Sequence, residues 1–290
     1  MNLNTIIHGD ALSELKKLPD QVANCCVTSP PYWGLRDYNV QGQMGLEKSP
    51  EEFISKMVEV FREVRRVLKD DGTAWINIGD SYWGGKGQSG ASWDKEHGTG
   101  KNVKAKSYTN PGETRPQDGK HHEIKPKDLV GIPWMLAFAL RADGWYLRQD
   151  IIWSKPNTMP ESVTDRCTKS HEYIFLLSKS RKYYYDAYAI ATPYGTLIGT
   201  GKANKRSVWT VLPMAFKEAH FATYPPNLIV DCIKAGCPEG GTVLDPFMGA
   251  ATTALVSRKL NLNYIGIELN KEYIEKIAKP RLARELGLFL

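Results

Sequence analysis

The stretch Thr28-Ser29-Pro30-Pro31-Tyr32 is the part of the chain around which the predicted fold is organised. The residues just before it, 22–27, are mostly apolar and rich in strand-forming side chains, which predicts a buried strand that ends at this polar segment. Two consecutive prolines fix two φ angles and remove two backbone donors, so the segment should be stiff and present carbonyl oxygens. We call residues 29–32 the tip.

Strands alternate with helices along the rest of the chain. The patterns predict strands at 5–10, 22–28, 73–78, 146–153, 173–177, 242–245 and 264–267, a returning strand at 183–185, and helices near 12–18, 50–68, 128–142, 225–235, 252–260 and 271–285. This alternation favours an α/β fold with a mostly parallel sheet and helices on both faces. Ligands bind such sheets at the carboxyl ends of the strands. The predicted strand ends carry Asp10, Ser29, Asp80, Asp245 and Glu268.

Composition places few limits on function. Of the 290 residues, 42% are hydrophobic and 24% are charged, which is ordinary for a soluble globular protein. No apolar run approaches the ~20 residues that a membrane helix needs, and the first residues do not resemble a signal peptide. We therefore expect no membrane partner. The five cysteines form no CxxC pair and are odd in number, so we expect no disulfide framework and a cytoplasmic location.

Residues 84–127 show no helical or strand period and contain many glycines. Within them, residues 86–127 hold nine Lys or Arg and five Asp or Glu, a local charge of +4. A charge-rich loop is often simply solvated. The tip combines a small hydroxyl, a rigid carbonyl and a ring, which suit binding of a planar aromatic amine. Because the charged loop accompanies this tip, a polyanionic partner is the favoured interpretation.

A second segment, residues 244–253, predicts a strand end, a tight loop and a helix start. Glycine in such a loop lets a ligand approach the backbone, and the helix N-terminus offers free N–H groups to a carboxylate. Glu268 follows Gly249 by nineteen residues, at the end of the next predicted strand. An acid at that spacing commonly binds the ribose hydroxyls of a nucleotide-type ligand. We call residues 245–251 the cofactor loop.

Together, the Thr-Ser-Pro-Pro-Tyr tip and the Asp-Pro-Phe-x-Gly loop resemble the motifs of the DNA amino-methyltransferases, which methylate cytosine N4 or adenine N6 using S-adenosylmethionine. The tip precedes the cofactor loop, as in the permuted β-group of that family. The resemblance implies a Rossmann-like, seven-stranded, mostly parallel methyltransferase sheet with inserted DNA-recognition loops. It covers nearly the whole chain except residues 84–127, so we expect one domain over residues 1–290 with a basic loop insertion at 84–127. The irregular sequence at 187–220 is the candidate target-recognition segment.

The resemblance also implies roles for individual residues. Ser29, Pro30, Pro31 and Tyr32 are expected to be catalytic: the ring of Tyr32 stacks on a flipped base, while Ser29 and the Pro30 carbonyl accept hydrogen bonds from its amino group. S-adenosylmethionine is the expected cofactor, and no metal is expected. The residues expected to bind the cofactor are Asp10, Phe221, Thr223, Asp245, Phe247, Gly249, Thr252, Thr253 and Glu268.

One position departs from the family pattern. Ala251 stands where the pattern has a second loop glycine. If this position needs a positive φ, alanine costs roughly 1 kcal/mol or more, and its methyl group would crowd a ligand. If φ is negative, alanine is harmless.

Tryptophans and basic residues in irregular sequence are candidates for contact with double-stranded DNA, through stacking or phosphate binding. This set is Trp33, Arg36, Lys205, Arg206 and Trp209. In contrast, Trp75, Trp134 and Trp153 lie in periodic apolar stretches and are expected in the core. The spacing of His97, His121, His122 and Cys167 fits no common zinc site.

The sequence therefore predicts a site-specific DNA methyltransferase. Cytosine N4 is the favoured target because serine at the first position of the tip resembles the cytosine-N4 branch of that family more often, and adenine N6 is the alternative. A protein-glutamine methyltransferase and a DNA-binding pseudoenzyme with a spoiled cofactor loop are more remote alternatives. The partners expected with DNA are a cognate restriction endonuclease that acts on the same site and a second copy of the chain in a homodimer.

Overall fold

A computed structural model describes residues 2–35, 40–84, 120–158, 160–197, 201–213 and 224–287. Its strands are β1 (Thr5–His8), β2 (Ala23–Thr28), β3 (Leu68–Ile78), β4 (Tyr146–Ser154), β5 (His171–Ser178), β6 (Thr192–Leu197), β7 (Lys202–Ala203), β8 (Val208–Thr210), β9 (Thr242–Asp245) and β10 (Asn263–Glu268). Eight of them form one sheet in the order β1-β10-β9-β2-β3-β5-β4-β8, while β6 and β7 pair separately.

Parallel pairing dominates the large sheet. The five strands β1, β10, β9, β2 and β3 are mutually parallel, whereas β5 runs antiparallel to both β3 and β4. The predicted mostly parallel sheet is confirmed, but the predicted count of seven is too low, because β8 adds an eighth strand at the edge beside β4. A three-residue strand is too short to show an alternating pattern.

Helices cover both faces of the sheet, as predicted. One face carries α1 (Ala11–Leu15), α2 (Pro50–Val67) and α3 (Ile132–Ala142). The other carries α4 (Pro226–Gly236), α5 (Thr252–Lys259) and the C-terminal helical segment. Strand side chains alternate between these two layers, so that Cys26 joins the first core and its neighbours Cys25 and Val27 join the second.

The junction between α2 and β3 differs from the prediction. Ser49 caps α2 by accepting a 3.2 Å hydrogen bond from the Glu52 amide, but the helix ends at Val67 and β3 begins with the next residue. Residues 70–72, predicted to terminate the helix, therefore lie inside β3. The cause is tertiary pairing, because Leu68 adopts extended φ and ψ angles (−70°, 143°) and pairs with Ala23 of β2.

Three further predictions need correction. The helix expected from Asp128 begins at Ile132, after Gly131 with a φ of 85°. Residues 183–185 form no strand, and Tyr185 instead stacks on Trp75 with ring centroids 6.3 Å apart. The single C-terminal helix is divided into α6 (Lys271–Tyr273), a π-helical stretch (Ile274–Ala278) and α7 (Lys279–Glu285). Within the described ranges, no helix is both long and apolar enough to span a membrane.

Candidate active site

The parallel strands bring the tip and the cofactor loop together. Because β2 and β9 are adjacent and parallel, their carboxyl ends lie side by side. We call the side of the sheet where the parallel strands end the edge. Thr28, at the end of β2, donates a hydrogen bond to Asp245, at the end of β9, with 2.6 Å between Thr28 Oγ1 and Asp245 Oδ1. Glu268 ends β10 on the far side of β9 and pairs in register with His8 of β1. Segments more than 200 residues apart in the chain thus form one edge.

The tip leaves the sheet directly after Thr28. Pro30 is buried, while Ser29, Pro31 and Tyr32 are half-buried and therefore partly exposed to solvent. A later part of the chain packs closely against the tip, since a Cβ atom added at Gly45 would lie 3.1 Å from the Tyr32 carbonyl oxygen. Gly45 has a φ of +101°, so glycine is required there for its backbone conformation as well as for space.

Tyr32 is hydrogen-bonded at the far end of its ring. Its hydroxyl donates to Glu172 Oε2 at 2.7 Å and lies 3.5 Å from Asn77 Oδ1. The ring also lies against Gly79, where an added Cβ would come within 2.8 Å of Tyr32 Cε2. Glu172 comes from β5, which begins at the same edge of the sheet where β2 and β3 end.

Glu172 is itself held by two further residues. Its Oε1 forms an ion pair with Lys155, and its Oε2 accepts a 3.2 Å hydrogen bond from Asn77 Nδ2. The Lys155 ammonium also lies over the ring of Trp153, 4.1 Å from its centroid. The side chains of Lys155 and Glu172 are only 17% and 16% exposed. We call Asn77, Lys155 and Glu172 the tyrosine anchor.

Asp245 is the point at which the tip and the cofactor loop are joined. Its carboxylate is fully buried and accepts hydrogen bonds from four donors: the hydroxyls of Thr28 (2.6 Å), Thr253 (2.6 Å) and Tyr224 (3.0 Å) and the Phe247 amide (3.0 Å). Burial raises the pKa of the Asp245 carboxyl, and these donors oppose the rise.

A carboxylate offers about four acceptor positions, so Asp245 has none left for a cofactor. Asp245 therefore positions the elements around it, and its contact with the cofactor stays a prediction. Thr252 and Thr253 are likewise buried, and their hydroxyls bond to Arg281 and Asp245, at 2.9 Å and 2.6 Å. These two threonines also hold the loop, and their predicted contacts with the cofactor stay predictions.

Glu268, Gly249 and Phe247 do face the edge, since all three are half-buried. Glu268 accepts backbone hydrogen bonds from Gly249 at 2.9 Å and from Asn270 at 2.8 Å, which leaves acceptor capacity for a ligand hydroxyl. Burial raises the pKa of Glu268 despite these bonds. A Cβ added at Gly249 would approach nothing closer than the Phe247 carbonyl oxygen, at 3.9 Å, so there is open space beside this glycine.

Ala251 adopts the left-handed conformation, with φ 62° and ψ 32°, directly before α5. Of the two conformations considered from the sequence, the positive φ is the one observed. The alanine is fully buried, and the loop around it is held by Arg281, which donates 2.9 Å hydrogen bonds to the Ala250 carbonyl and to Thr252 Oγ1. The loop therefore keeps the shape of a glycine-containing turn at some cost in backbone energy.

Asp10 lies at the end of β1 and is half-buried. Its Oδ1 caps α1 by accepting a 2.9 Å hydrogen bond from the Ser13 amide, and Gly9 donates to the Glu268 carbonyl at 3.1 Å. Asp10 is therefore near Glu268, which is compatible with its predicted role. Arg36, Phe221 and Thr223 lie outside the described residues, so their contacts stay predictions.

Two of the proposed DNA contacts are contradicted by burial. Trp33 is 1% exposed, stacks on Trp83 and donates a 2.9 Å hydrogen bond to the Glu47 carbonyl. Trp209 is 5% exposed and packs with β8 in the second core. Both rings lie in irregular sequence, which hid their core role.

The two basic neighbours of Trp209 differ in their surroundings. Lys205 forms an ion pair with Asp231 and lies 4.4 Å over the ring of Trp209. Arg206 is exposed. Among the described residues predicted to contact DNA, Arg206 is the one whose side chain is exposed to solvent and forms no ion pair with an acid.

Sequence reasoning missed the tyrosine anchor and Tyr224. Asn77 could have been identified, because it lies near the end of β3, three residues before the strand-end residue Asp80. Lys155 follows the end of β4, and Glu172 lies at the start of β5. Because these strands are antiparallel, the two side chains meet only in the folded sheet, and the sequence does not identify them. In the described part of the chain, no group of three or more metal-binding side chains is placed to hold an ion.

Comparisons with known proteins agree with this arrangement. The N6_N4_Mtase family model, described as DNA methylase, matches residues 23–279. The chain is 49% identical to the type II methyltransferase M.SmaI of Serratia marcescens, over 96% of this chain and 90% of that protein. It is 48% identical to the type II methyltransferase M.Cfr9I of Citrobacter freundii, over 98% and 89%.

Two solved structures share the fold. The cytosine-N4-specific PvuII DNA methyltransferase matches with a TM-score of 0.67 and 17% identity, over 99% of this chain and 86% of that one. A DNA modification methylase of Thermus thermophilus, TTHA0409, solved with S-adenosyl-L-methionine, matches with a TM-score of 0.64 and 22% identity, over 98% and 96%. The fold is that of a methyltransferase. The chain belongs to the DNA methylase family, and it is a DNA methyltransferase of the class that methylates amino groups at N4 or N6.

Proposed function

We propose that the protein transfers a methyl group from S-adenosylmethionine to the exocyclic amino nitrogen of a base flipped out of double-stranded DNA, with cytosine N4 as the favoured target. The observation that carries this proposal is the 2.6 Å hydrogen bond between Thr28 and Asp245. It joins the residue before the tip to the first residue of the cofactor loop. An amine held by the tip would therefore lie beside a ligand held by the loop.

The residues around the loop fit the cofactor. Glu268 is a half-buried carboxylate with acceptor capacity for ribose hydroxyls, and the space beside Gly249 admits a ligand close to the backbone. Phe247 in the same loop adds a half-buried ring. When bound, S-adenosylmethionine supplies a methyl group on a positively charged sulfur atom. The neutral thioether that remains after transfer is a good leaving group.

The tip accounts for the rest of the chemistry. The Tyr32 ring stacks on the flipped base, and Ser29 Oγ and the Pro30 carbonyl oxygen accept the two amino hydrogens. These bonds direct the nitrogen lone pair out of conjugation with the ring and toward the methyl group. Methyl transfer would form a nitrogen–carbon bond and leave the sulfur as a neutral thioether, and the methylated nitrogen would lose one proton to solvent. Positioning and fixed dipoles supply most of the rate, because the leaving group is already activated.

The choice of cytosine rests on Ser29, since serine at the first position of the tip resembles the cytosine-N4 branch more often than the adenine-N6 branch. The acceptors themselves suit either amino group, so adenine N6 is the second candidate. A cognate restriction endonuclease is proposed as a partner because the relatives named above are type II methyltransferases. A homodimer stays a prediction.

The test is mass spectrometry of nucleosides from plasmid DNA of cells that express the protein. We expect N4-methylcytosine from wild type and less of it from cells that express Tyr32→Ala, while cells that carry the empty plasmid serve as the control for host methylation. N6-methyladenine in the wild-type sample alone would keep the reaction and overturn the choice of base. If neither nucleoside exceeds its level in the control, the proposed function is wrong.

A further inference from the structure

The tyrosine anchor contacts the predicted base-stacking ring at the atom most distant from the backbone. The Tyr32 hydroxyl donates to Glu172 Oε2 at 2.7 Å. Asn77 contacts both partners, with Oδ1 3.5 Å from the Tyr32 hydroxyl and Nδ2 3.2 Å from Glu172 Oε2. All of these atoms lie at the edge where β2 and β3 end and β5 begins.

These contacts restrict the plane of the Tyr32 ring. The Cα atom of Tyr32 is fixed at one end, because Pro31 precedes it and Gly45 packs on its carbonyl. The hydroxyl is fixed at the other end by Glu172, so the ring can turn only about its long axis. Gly79 limits that rotation, because the ring lies close enough that a Cβ there would come within 2.8 Å of Tyr32 Cε2.

Glu172 is in turn prevented from moving. Its Oε1 is paired with Lys155 and its Oε2 is bonded to Asn77, so neither carboxylate oxygen is left to rotate toward solvent. A partly buried ion pair is weak support for a role in stability, because desolvation offsets most of the Coulomb gain. The pair does, however, hold a charged acceptor in one place, and hydrogen bonds to charged acceptors are stronger than neutral ones.

We propose that Glu172, held by Lys155 and Asn77, is a positioning residue that sets the plane of the Tyr32 ring for stacking on the flipped base. This inference rests on the proposed amino-methyltransferase reaction and adds to it a residue that acts through Tyr32. A ring of fixed orientation loses less freedom when the base stacks on it, and the amino nitrogen is then presented to the methyl group in one orientation.

The experiment measures transfer of labelled methyl groups from S-adenosylmethionine to unmethylated plasmid DNA by the purified full chain. Tyr32→Phe keeps the ring and removes the hydroxyl, and Glu172→Ala removes the acceptor. We expect each to lower kcat/KM for DNA about tenfold, the effect of one hydrogen bond to a charged group. The KM for S-adenosylmethionine should stay within about twofold of wild type.

The decisive result is the combination of the two changes. If Glu172 acts through Tyr32, the double variant should be no more than about twofold worse than the less active single variant. Losses that multiply to about a hundredfold would overturn the proposal. Glu172→Gln keeps an acceptor oxygen at the same place and should recover activity to within about threefold of wild type.

A matched control distinguishes positioning from loss of an ion pair. Glu63 is a partly buried glutamate, 19% exposed, paired with Arg66 on α2, and it contacts neither the tip nor the cofactor loop. Glu63→Ala should leave kcat/KM for DNA unchanged. If Glu172→Ala does not fold, Tyr32→Phe still decides, since wild-type kcat/KM in that variant overturns the proposal. A wild-type protein that methylates no DNA would instead overturn the proposed function itself.

Discussion

The tip and the cofactor loop sit on adjacent strands, yet they are held in shape by different means. The tip depends on side chains that come from across the sheet, since Tyr32 is bonded to Glu172 of β5, 140 residues away. The cofactor loop has a strained backbone, with positive φ angles at Gly249 (52°) and Ala251 (62°), and it is held by the nearby C-terminal residues Glu268 and Arg281. Asp245 joins the two, since it accepts hydrogen bonds from Thr28 before the tip and from the Phe247 amide in the loop.

This difference predicts how each region responds to substitution. Changes at the tip should alter the handling of DNA and leave folding nearly intact, because Ser29, Pro31 and Tyr32 are only half-buried. Changes in the loop should alter the stability of the protein and the binding of cofactor, because its backbone is strained and its threonines are buried. Asp245 should affect both.

The largest effect is expected at Asp245. Asp245→Ala leaves three hydroxyls and one amide without their buried acceptor, so we expect the free energy of unfolding to fall by about 3 to 5 kcal/mol. Urea denaturation measures this change. Asp245→Asn retains one carbonyl oxygen and should lose less than half as much. A loss below about 1 kcal/mol in Asp245→Ala would mean that the two regions are not joined here.

The next effect separates the tip from the loop. Tyr32→Ala removes the stacking ring, and stacking contributes about 1 to 3 kcal/mol per base, so kcat/KM for DNA should fall roughly 10- to 100-fold, mainly through base capture. Pro30→Ala should instead lower kcat and leave the KM for DNA within about twofold. Steady-state methylation of plasmid DNA provides both constants. Wild-type activity in both variants would remove the tip from the mechanism.

A smaller effect of opposite sign is expected in the loop. Ala251→Gly relieves a left-handed alanine and should stabilise the protein by about 0.5 to 1 kcal/mol, after the greater flexibility of glycine in the unfolded chain is counted. The midpoint temperature of thermal unfolding should rise by about 1 to 3 °C. Ala250 is equally buried and is not among the residues with positive φ, so Ala250→Gly is the matched control and should destabilise. Equal effects of both changes would show that backbone strain does not shape the loop.

The smallest effect concerns the pH dependence of stability. Burial raises the pKa of Glu268 above its ordinary value of 4.5, so the folded protein holds this proton more tightly than the unfolded chain. The stability that this provides is fully present below pH 4.5 and is lost as the pH rises through the raised value. Glu268→Gln should flatten this part of the curve, measured by urea unfolding between about pH 4 and 8. Because burial also raises the pKa of Asp245, only the difference between the two proteins reports on Glu268, and identical curves would contradict the prediction.

Much of the fold could be predicted because its signals are local. The strands before the tip and the cofactor loop are short apolar runs, and α2 has both a capping serine and a helical apolar period. The errors arise where long-range pairing overrides such signals. Leu68 was expected in a helix and is extended because β2 pairs with it, and β8 is too short to show a period.

The positions of the candidate site residues at the strand ends could be predicted from the motifs, but the side chains that support them could not. Ser29, Tyr32, Gly249 and Glu268 lie at or just after the predicted strand ends, and their roles stay predictions. The burial of Asp245 could not be predicted, because the motif does not show that Thr28 and Tyr224 occupy its acceptors. Glu172 has no sequence signal near the tip, since an antiparallel strand brings it there.

The central claim is that the tip and the cofactor loop form one site that methylates an amino nitrogen. The most direct measurement incubates purified wild-type protein with plasmid DNA and S-adenosylmethionine labelled on the methyl group, then separates the digested nucleosides. We expect the label on an exocyclic nitrogen, as N4-methylcytosine, and a rate of labelling that falls roughly 10- to 100-fold with Tyr32→Ala. Label in 5-methylcytosine, or DNA that remains unlabelled, would contradict this claim.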